Sequence, residues 1–293
     1  MNINTILVTG VNGQLGRKVK EVFAQETTFN MIYTDVDELD IASRKAVEKF
    51  FDTYRPKFVI NCAAYTAVDK AEEEKETALR INEKGPLVLA EKCKSYEAFL
   101  LHISTDYVFD GQAFMPYTEN HPTKPVNFYG KTKVLGEEAI QKTHDQSAII
   151  RTAWLYSEHG NNFVKTMLRL GAERQKLGVI DDQVGTPTYA GDLAEAIKAF
   201  AVNYFSINNF ARGIYHFTNE GACSWFDFAL KIQKLANNSV IVNPIPTTDY
   251  PTPAKRPHYS ILNKRKIKDQ LQISIPHWED SLAKCLKLLQ NKQ

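Results

Sequence analysis

The sequence predicts an α/β fold, a doubly wound parallel sheet followed by a smaller mixed domain, from three observations. Short apolar runs alternate with helical periodicity over residues 1–150, which is the pattern of strand–helix–strand units. The runs are continuously apolar, as strands buried on both faces must be. A glycine-rich segment at residues 10–16 separates the first run from the first helical stretch, as in Rossmann-type nucleotide-binding sheets.

Each predicted strand corresponds to one apolar run. In chain order the runs cover residues 6–9, 31–33, 58–60, 99–103 and 148–151. Helical spacing of apolar residues predicts the helices between them, marked by Val19, Val22 and Phe23, by Ala46, Val47, Phe50 and Phe51, and by the segments 70–94 and 129–142. Because parallel strands end at one edge of a sheet, we expect ligands beyond the carboxyl ends of these runs.

After about residue 150 the alternation loosens, and prolines gather between Pro244 and Pro257. We therefore expect residues 1–150 to form a dinucleotide-binding domain, with some later segments returning to it. Residues 151–293 are expected to form mainly a substrate-binding domain.

The composition is that of an ordinary globular protein and argues against several classes of function. Basic and acidic residues number 36 and 34, which leaves a net charge of +2 and gives no support for a nucleic-acid partner. No apolar run approaches the roughly 18 residues of a membrane helix, and residues 1–5 lack the basic residues that open a signal peptide. The four cysteines are widely spaced, which predicts reduced thiols and a cytoplasmic location.

The glycine segment predicts a cradle for the phosphates of a dinucleotide. Gly10, Gly13 and Gly16 have spacings that allow a tight turn, a close approach to a pyrophosphate and close packing of the helix on the strand. The N-terminus of that helix offers free N–H groups and a partial positive charge. The same glycines would also fit a turn without a ligand, but the strand before them and the helix after them are the context that nucleotide binding requires.

The sequence leaves the choice between NAD and NADP open. Asp35 follows the second strand about 20 residues beyond the glycines, where an acid binds the adenosine ribose and repels a 2′-phosphate. Asp37 and Asp40 are nearby and are alternative candidates for the ribose-binding acid. Arg17 and Lys18 follow the last glycine and would supply positive charge for the 2′-phosphate of NADP.

Tyr129 and Lys133 form the candidate acid–base pair. Four residues apart, they lie on one face of the predicted helix. A free tyrosine has a pKa of about 10, and a nearby ammonium lowers that pKa towards the working pH, as a proton donor needs. Thr105 follows the fourth strand, where its hydroxyl would reach a substrate carbonyl or the tyrosine, although it would equally cap a turn.

These segments resemble the extended short-chain dehydrogenases/reductases and, more closely, the dTDP-4-dehydrorhamnose reductase family, over nearly the whole chain. The resemblance is carried by residues 10–16, 62–72, 104–111 (beginning Ser-Thr-Asp-Tyr), 129–133 (Tyr-Gly-Lys-Thr-Lys), 151–156, 160–167 and 256–257. It implies that NADPH or NADH reduces the C4 keto group of a small dTDP-sugar, dTDP-4-dehydro-L-rhamnose.

The resemblance also implies a role for each candidate residue. The cofactor would be held by Gly10, Gly13, Gln14, Leu15 and Gly16 at the phosphates, by Asp35, Asp40 and Ile41 at the adenosine, by Ala64, Tyr65 and Thr66 along its length, and by Tyr129 and Lys133 at the nicotinamide ribose. The substrate would be touched by Thr105, Asp106, Trp154, Val68, Asn162, Lys165 and Arg256.

The implied reaction passes a hydride from the nicotinamide to C4 while Tyr129 donates a proton to the developing alkoxide. Thr105 would tune the tyrosine, and Lys133 would acidify it. Lys165 or Arg256 would pair with the diphosphate. Without the resemblance, Trp154 fits a core aromatic residue equally well.

Three rival functions fit the same fold. The nucleotide-sugar 4,6-dehydratases, which resemble this chain in fold, carry Thr-Asp-Glu at the strand end. Here Tyr107 follows Asp106 in place of the glutamate, so elimination would lack its base. An epimerase would keep its cofactor and show no net NADPH consumption. A non-catalytic regulatory subunit, like that of methionine adenosyltransferase, would bind a nucleotide without turnover, and the intact set of Tyr129, Lys133 and Thr105 argues against it.

The oligomeric state, monomer or homodimer, stays open. Some members of the family are dimers joined by magnesium through acidic residues, one of them on the first helix. Here Arg17 and Lys18 follow the glycines with no acid in that turn. We therefore expect no metal site and no magnesium-bridged dimer.

Overall fold

The structure is a computed structural model and describes residues 4–206 and 212–291. Within these ranges the strands are β1 Asn4–Thr9, β2 Phe29–Thr34, β3 Phe58–Asn61, β4 Phe99–Thr105, β5 Ser147–Thr152, β6 Leu155–Tyr156, β7 Lys176–Ile180, β8 Val184–Gly185, β9 Thr188–Tyr189, β10 Gly213–His216, β11 Cys223–Ser224 and β12 Ile241–Ile245. The helices are α1 Gln14–Val22, α2 Arg44–Tyr54, α3 Lys75–Leu79, α4 Gly85–Ser95, α5 Phe128–Thr143, α6 Phe163–Glu173, α7 Ala190–Ser206, α8 Trp225–Leu235, α9 Arg265–Leu271 and α10 Trp278–Gln290.

A parallel sheet lies at the centre, with the strand order β10-β5-β4-β3-β1-β2. The five predicted apolar runs form five of its strands, and Ile6, Val59 and Leu100 in the middle of the sheet are fully buried. The chain moves outward from β1 to β2 and then restarts on the other side of β1 with β3. This reversal of direction opens a crevice at the carboxyl ends of β1 and β3, where open α/β sheets bind their ligands.

Helices cover both faces of the sheet, as predicted for a doubly wound fold. One apolar cluster joins α1 and α7 to one face through side chains such as Val19, Leu193 and Phe200. A second cluster joins α2 and α4 to the other face, with Val47 and Leu89 at its centre. Both clusters are dry and continuous, so the sheet is held rigidly from both sides.

The helical segment predicted over residues 70–94 is not one regular α-helix. A short turn at Lys70–Glu72 is followed by α3, by a π-helical turn at Arg80–Lys84, and then by α4. Pro86 near the start of α4 has no N–H to donate to the carbonyl of Asn82, which explains why regular α-helix cannot run through this point. The freed carbonyl of Asn82 is approached closely by Gly136 of α5, where an added Cβ would lie 2.1 Å from the Asn82 oxygen.

The later part of the chain builds a second apolar core and also returns to the sheet. That core joins α6, α8 and α10 through residues such as Met167, Phe228 and Leu282. β10 completes the sheet beside β5, and α7 packs on α1. A division of the chain at residue 150 therefore falls inside β5, and the two-domain organisation stays a prediction about how the chain folds.

No helix in residues 4–206 and 212–291 has the length and apolarity needed to span a membrane. The four cysteines are present as free thiols. Residues 1–3, part of the segment used to judge a signal peptide, lie outside the described residues.

Candidate active site

A cleft of about 510 Å³ lies along the carboxyl ends of β1, β3, β4 and β5. The predicted residues that line it are Gly13, Gln14, Leu15, Gly16, Ala64, Thr66, Val68, Thr105, Asp106, Tyr129, Lys133, Trp154 and Asn162. The predicted residues outside its lining are Gly10, Asp35, Asp40, Ile41, Tyr65, Lys165 and Arg256. The structure thus brings both halves of the predicted site, the glycine loop and the Tyr–Lys helix, to one cavity.

The glycine loop forms an uncapped cradle at the start of α1. Gly10 has φ +68°, and a Cβ on it would lie 2.6 Å from the Ala63 nitrogen, so the turn requires glycine. Gly13 is the N-cap residue of α1, with no side-chain cap and no acidic residue in the first turn. The first N–H groups of α1 and its positive dipole end are therefore free to bind an anion.

Asp35 lies against the glycine loop. Its carboxylate accepts hydrogen bonds from the Asn12 N–H at 2.7 Å and from the Val36 N–H at 2.8 Å. It therefore buttresses the loop whether or not it also touches a ribose. Asp40 is paired with Arg80 at 2.6 Å, and this pairing helps to hold the pKa of Asp40 below its ordinary value, against the opposing effect of burial.

Of the two cations after the last glycine, Arg17 alone is exposed. Its Nε donates to the Asn12 carbonyl at 3.0 Å, which keeps the guanidinium beside the loop. Lys18 instead is buried, with its ammonium 2.8 Å from Glu158 and 2.5 Å from Glu21. The interpretation of Lys18 as a free positive charge for NADP is therefore wrong, since its charge is neutralised by two carboxylates.

Glu21, Glu158 and His159 bring three possible metal ligands within 4.8 Å of one another. The Lys18 ammonium contacts both carboxylates of this cluster. The cluster is thus an ion-pair network that joins α1 to the segment after β6. Glu21 lies beyond the first turn of α1, and the expected absence of a metal site stays a prediction.

Residues 157–162 contact the glycine loop through the side chain of Gln14. The Gln14 side-chain oxygen accepts from Asn162 Nδ2 at 2.8 Å and from the Ser157 hydroxyl at 3.2 Å. Asn162 also caps α6 by accepting from the Lys165 N–H at 3.1 Å. The Lys165 ammonium donates to the Gly160 carbonyl at 2.9 Å. Asn162 therefore couples the start of α6 to the phosphate cradle.

Tyr129 is placed by the first turn of α5. Asn127 caps this helix by accepting from the Gly130 N–H at 2.8 Å. A Cβ on Gly130 would lie 2.2 Å from the Tyr107 carbonyl oxygen, so glycine lets α5 press onto the turn after β4. The Tyr129 ring packs edge-on against Tyr107 at 5.7 Å, and its hydroxyl lies beside the side chain of Thr105, which lowers its pKa.

The acidification of Tyr129 by Lys133 stays a prediction. Burial raises the pKa of Tyr129, the bond to Thr105 opposes that rise, and the charge of Asp106 adds to it. The Lys133 ammonium donates to the Ile103 carbonyl at 2.8 Å and lies 3.3 Å from His102 Nε2. Burial lowers the pKa of Lys133 to about 8. The β4 backbone therefore holds the lysine, and Tyr129 rests as a neutral phenol, the form that a proton donor needs.

Asp106 is a buried carboxyl group at the base of the cleft. Its Oδ1 accepts from the Thr105 hydroxyl at 2.9 Å, while its Oδ2 has no hydrogen-bond partner among the described residues. Burial raises the pKa of Asp106 to about 6, with the Thr105 and Ser260 hydrogen bonds opposing this rise. An unpaired, buried carboxylate oxygen facing a cleft marks a place for a ligand hydroxyl.

We expect Asp106→Asn to gain stability relative to the wild type as the pH rises. A carboxyl group with a folded pKa of about 6 and an unfolded pKa near 3.8 binds more protons in the folded state between these values. Stability is therefore lost as the pH rises through this window, by about 1.4 kcal/mol per pH unit. From pH 5 to pH 8, the wild type should lose about 1 kcal/mol against Asp106→Asn. Urea unfolding of both proteins at the two pH values measures this difference, and parallel pH profiles would contradict it.

Trp154, a predicted substrate residue that lines the cleft, forms an aromatic pair with Trp225. Trp154 has φ +48°, and its ring stacks on Trp225 with centroids 3.5 Å apart and an angle of 9°. Arg256 donates two hydrogen bonds to Asp69, at 2.5 and 2.7 Å. The guanidinium is therefore committed to a carboxylate one residue after Val68, and its pairing with a diphosphate stays a prediction.

Several lining residues were not predicted as site residues, although all but Ile103 lie in the segments that carry the family resemblance. They are Asn12, Cys62, Ile103, Ser104, Tyr107, Thr152, Ala153, Leu155, Gly160 and Asn161. Most of them flank a predicted residue and follow a strand, so the rule that ligands bind at the carboxyl ends of strands would have included them. Asn61 and His102 were also missed, because both lie in apolar strands. His102 contacts Lys133, and Asn61 contacts His102.

Comparison with known proteins agrees with this geometry. The family model described as the RmlD substrate binding domain matches residues 4–291. The dTDP-4-dehydrorhamnose reductase of Aggregatibacter actinomycetemcomitans is 42% identical over 283 residues, which cover 94% of this chain and 96% of that protein.

Two solved structures are also similar. The crystal structure of a dTDP-4-dehydrorhamnose reductase from Clostridium acetobutylicum has a TM-score of 0.92 and 44% identity, covering 98% of this chain and 99% of that one. The dTDP-4-dehydrorhamnose reductase of Bacillus anthracis, in complex with NADP, has a TM-score of 0.91 and 39% identity, covering 97% of this chain and 99% of that one. The chain belongs to the dTDP-4-dehydrorhamnose reductase family.

Proposed function

We propose that this chain is an NAD(P)H-dependent oxidoreductase that reduces the C4 keto group of dTDP-4-dehydro-L-rhamnose to give dTDP-L-rhamnose. The observation that carries the proposal is the shared cleft. Tyr129 and Thr105 line the same cavity as the uncapped N-terminus of α1. Relatives that bear the name of this reductase support the choice of substrate.

The residues of the cradle fit a dinucleotide. Gly13 lines the cleft, and the one atom near an added Cβ there would be the Gly10 carbonyl oxygen at 3.3 Å. A phosphate group can therefore approach the backbone at Gly13, where the free N–H groups of α1 would bind it. Ala64 and Thr66, at the end of β3, line the next part of the cleft. When bound, the cofactor supplies a hydride.

The mechanism follows from the protonation states of the chain's own groups. Tyr129 holds its phenolic proton at neutral pH because burial raises its pKa. The Thr105 hydroxyl donates to the Asp106 carboxylate, so its own proton is engaged there, while Tyr129 lines the cleft with its O–H. A substrate oxygen that becomes an alkoxide beside that O–H takes the proton. Trp154, which stacks on Trp225, lines the same cleft and would restrict water there.

Absorbance at the reduced-nicotinamide band tests the proposal. The purified protein is mixed with dTDP-4-dehydro-L-rhamnose and either NADPH or NADH. We expect a loss of absorbance that needs both the protein and the sugar. A protein that binds NADPH but never consumes it with this sugar would instead be a regulatory subunit or would act on another nucleotide sugar. Interconversion of sugar epimers without net consumption would indicate an epimerase.

We expect Arg17→Met to weaken NADPH binding selectively. Arg17 is the exposed cation beside the glycine loop, since the Lys18 charge is engaged by Glu21 and Glu158. A charge-assisted hydrogen bond to a phosphate contributes about 1.5–3 kcal/mol, or about tenfold to a hundredfold in affinity. The KM for NADPH should rise by about this factor while the KM for NADH stays nearly constant.

Steady-state kinetics with each cofactor measure this split. Lys20→Met is the matched control, because it removes another exposed cation from the same helix. It should leave both KM values unchanged. An equal rise in KM for both cofactors would show that Arg17 supports the loop rather than the 2′-phosphate.

A further inference from the structure

A buried chain of polar side chains leads to Lys133 across three strands of the sheet. Thr9 on β1 donates to Asn61 Oδ1 at 2.7 Å. Asn61 Nδ2 on β3 lies 2.9 Å from His102 Nδ1 on β4. His102 Nε2 then lies 3.3 Å from Lys133 Nζ on α5. These four side chains are buried, and neither the cradle nor the proton donor accounts for His102.

The hydrogen bonds determine the tautomer of His102. The Ala63 N–H donates to Asn61 Oδ1 at 3.1 Å, and a backbone N–H can only donate. The Asn61 oxygen is thereby fixed, and its NH₂ group must face His102. His102 Nδ1 therefore accepts, and the single proton of the neutral ring is on Nε2.

This tautomer places a donor opposite a donor. The Nε2–H of His102 faces Lys133 Nζ, and an ammonium has no lone pair to receive it. A neutral Lys133 amine satisfies both contacts, because its lone pair accepts from Nε2 while one of its N–H groups still donates to the Ile103 carbonyl.

Few charged groups near Lys133 favour its ammonium form over the neutral amine. The titratable groups around Lys133 are His102 on β4, Cys62 after β3, and Tyr129 and Glu137 on α5. Glu137 favours the ammonium, but it is bound on both oxygens by Arg151, which reduces its influence. Burial of Cys62 raises the pKa of its thiol to about 12, so the thiol is neutral.

We propose that His102 is a positioning residue that, held by Asn61 with its proton on Nε2, presents a hydrogen-bond donor to Lys133 Nζ and so favours the neutral amine of Lys133 over the ammonium.

The consequence concerns the proton that Tyr129 gives away, and in this respect the inference rests on the proposed function. When the Tyr129 O–H bond breaks and the proton joins the substrate alkoxide, a phenolate remains. A proton released from Lys133 Nζ restores the phenol, and the lone pair left on Nζ accepts the Nε2–H of His102. Solvent then returns one proton to Nζ. His102 thereby makes the Lys133 ammonium a ready source of that proton.

Nuclear magnetic resonance of the unliganded wild-type protein gives the first test. With ¹⁵N-labelled histidine, the ring-nitrogen shifts distinguish a protonated from an unprotonated nitrogen, and the His102 signals are those lost in His102→Gln. We expect the proton on Nε2. A proton on Nδ1 overturns the proposal, and this measurement does not depend on any variant folding well.

The second test changes the partner of Lys133. In His102→Gln the side-chain carbonyl can turn towards the ammonium and accept from it. In Asn61→Asp the carboxylate would accept a hydrogen bond from Nδ1–H, so the ring proton of His102 would move to Nδ1 and Nε2 would become an acceptor. We expect either variant to raise the titration midpoint of Lys133, near 8 in the wild type, by about one pH unit or more. The Lys133 signal, followed in lysine-labelled protein, is assigned by its loss in Lys133→Met.

Thr9→Val is the matched control. It removes the Thr9 donor but leaves the Ala63 N–H to fix Asn61, so the tautomer and the Lys133 midpoint should not change. Because His102→Gln alters no charge, an unchanged midpoint in a folded His102→Gln protein overturns the proposal even if Asn61→Asp shifts it. The titrations use neither sugar nor cofactor, so a shifted midpoint in a protein that fails to reduce the sugar would sustain the inference and reject the proposed function.

Discussion

Tyr129→Phe is expected to lower kcat by about 10²–10⁴-fold, the usual contribution of a positioned general acid, while NADPH binds as tightly as before. Among the described residues, the neighbouring Thr105 hydroxyl does not replace this proton, because it donates to Asp106. The phenylalanine ring retains the edge-on packing with Tyr107, so the fold should be preserved.

The measurement is the rate of reduced-nicotinamide consumption with saturating sugar, together with equilibrium binding of NADPH. Tyr96→Phe is a suitable control, since it deletes the same atom from a tyrosine whose hydroxyl donates to Asp52 at 2.6 Å on the protein surface. It should keep the wild-type rate. If Tyr129→Phe kept its kcat and lost only affinity for the cofactor, the tyrosine would be a binding residue and not the proton donor.

The pH dependence separates Tyr129 from Lys133. Since burial raises the pKa of Tyr129, the phenol stays protonated well above neutral pH. Lys133, whose pKa burial lowers to about 8, loses its charge first as the pH rises. An alkaline decline in activity centred near pH 8 therefore belongs to the lysine, and it should be absent from the residual activity of Lys133→Met.

Local features of the sequence predicted the fold well. Apolar runs gave five strands of the central sheet, and the spacing of Gly10, Gly13 and Gly16 placed the cradle, because both depend on neighbours in the chain. The π-helical turn before α4 was not predicted, since it depends on Pro86 and on Gly136 of another helix. β10 was not predicted as a sheet strand either, because its four residues join the sheet only through the long-range pairing with β5.

In the candidate site too, features that depend on neighbours in the chain were predicted, and features that depend on long-range contacts were not. Tyr129 and Lys133 share a helix face, and they were predicted from their spacing and from their position after the fourth strand. The pairing of Arg256 with Asp69 and the pairing of Lys18 with Glu158 join residues far apart in sequence. A charged residue read without its partner looks free, and this is why both were assigned to phosphates from the sequence.

Gly13→Ala and Gly16→Ala are expected to fail in different ways, although the two glycines lie three residues apart. Gly13 has φ −71°, which alanine tolerates, and an added Cβ would meet the Gly10 carbonyl oxygen at 3.3 Å. The methyl group would then stand at the cleft surface where a phosphate approaches. Overpacking of this kind costs about 1–3 kcal/mol, so the Kd for NADPH should rise by about tenfold to a hundredfold with little loss of stability.

Gly16→Ala acts on the fold instead, because a Cβ there would lie 2.2 Å from the Gly10 carbonyl oxygen and 2.6 Å from Val11 Cα. Both atoms are backbone, so α1 has to move off β1, and the expected cost is about 3 kcal/mol or more. Thermal unfolding should show a Tm lower by about 5–10 °C, whereas Gly13→Ala should melt like the wild type. Since each variant adds one methyl group to the same loop, each is the control for the other. A Gly16→Ala protein of wild-type Tm would mean that the third glycine does not serve helix packing, and a Gly13→Ala protein with wild-type affinity would place the phosphates away from this N-terminus.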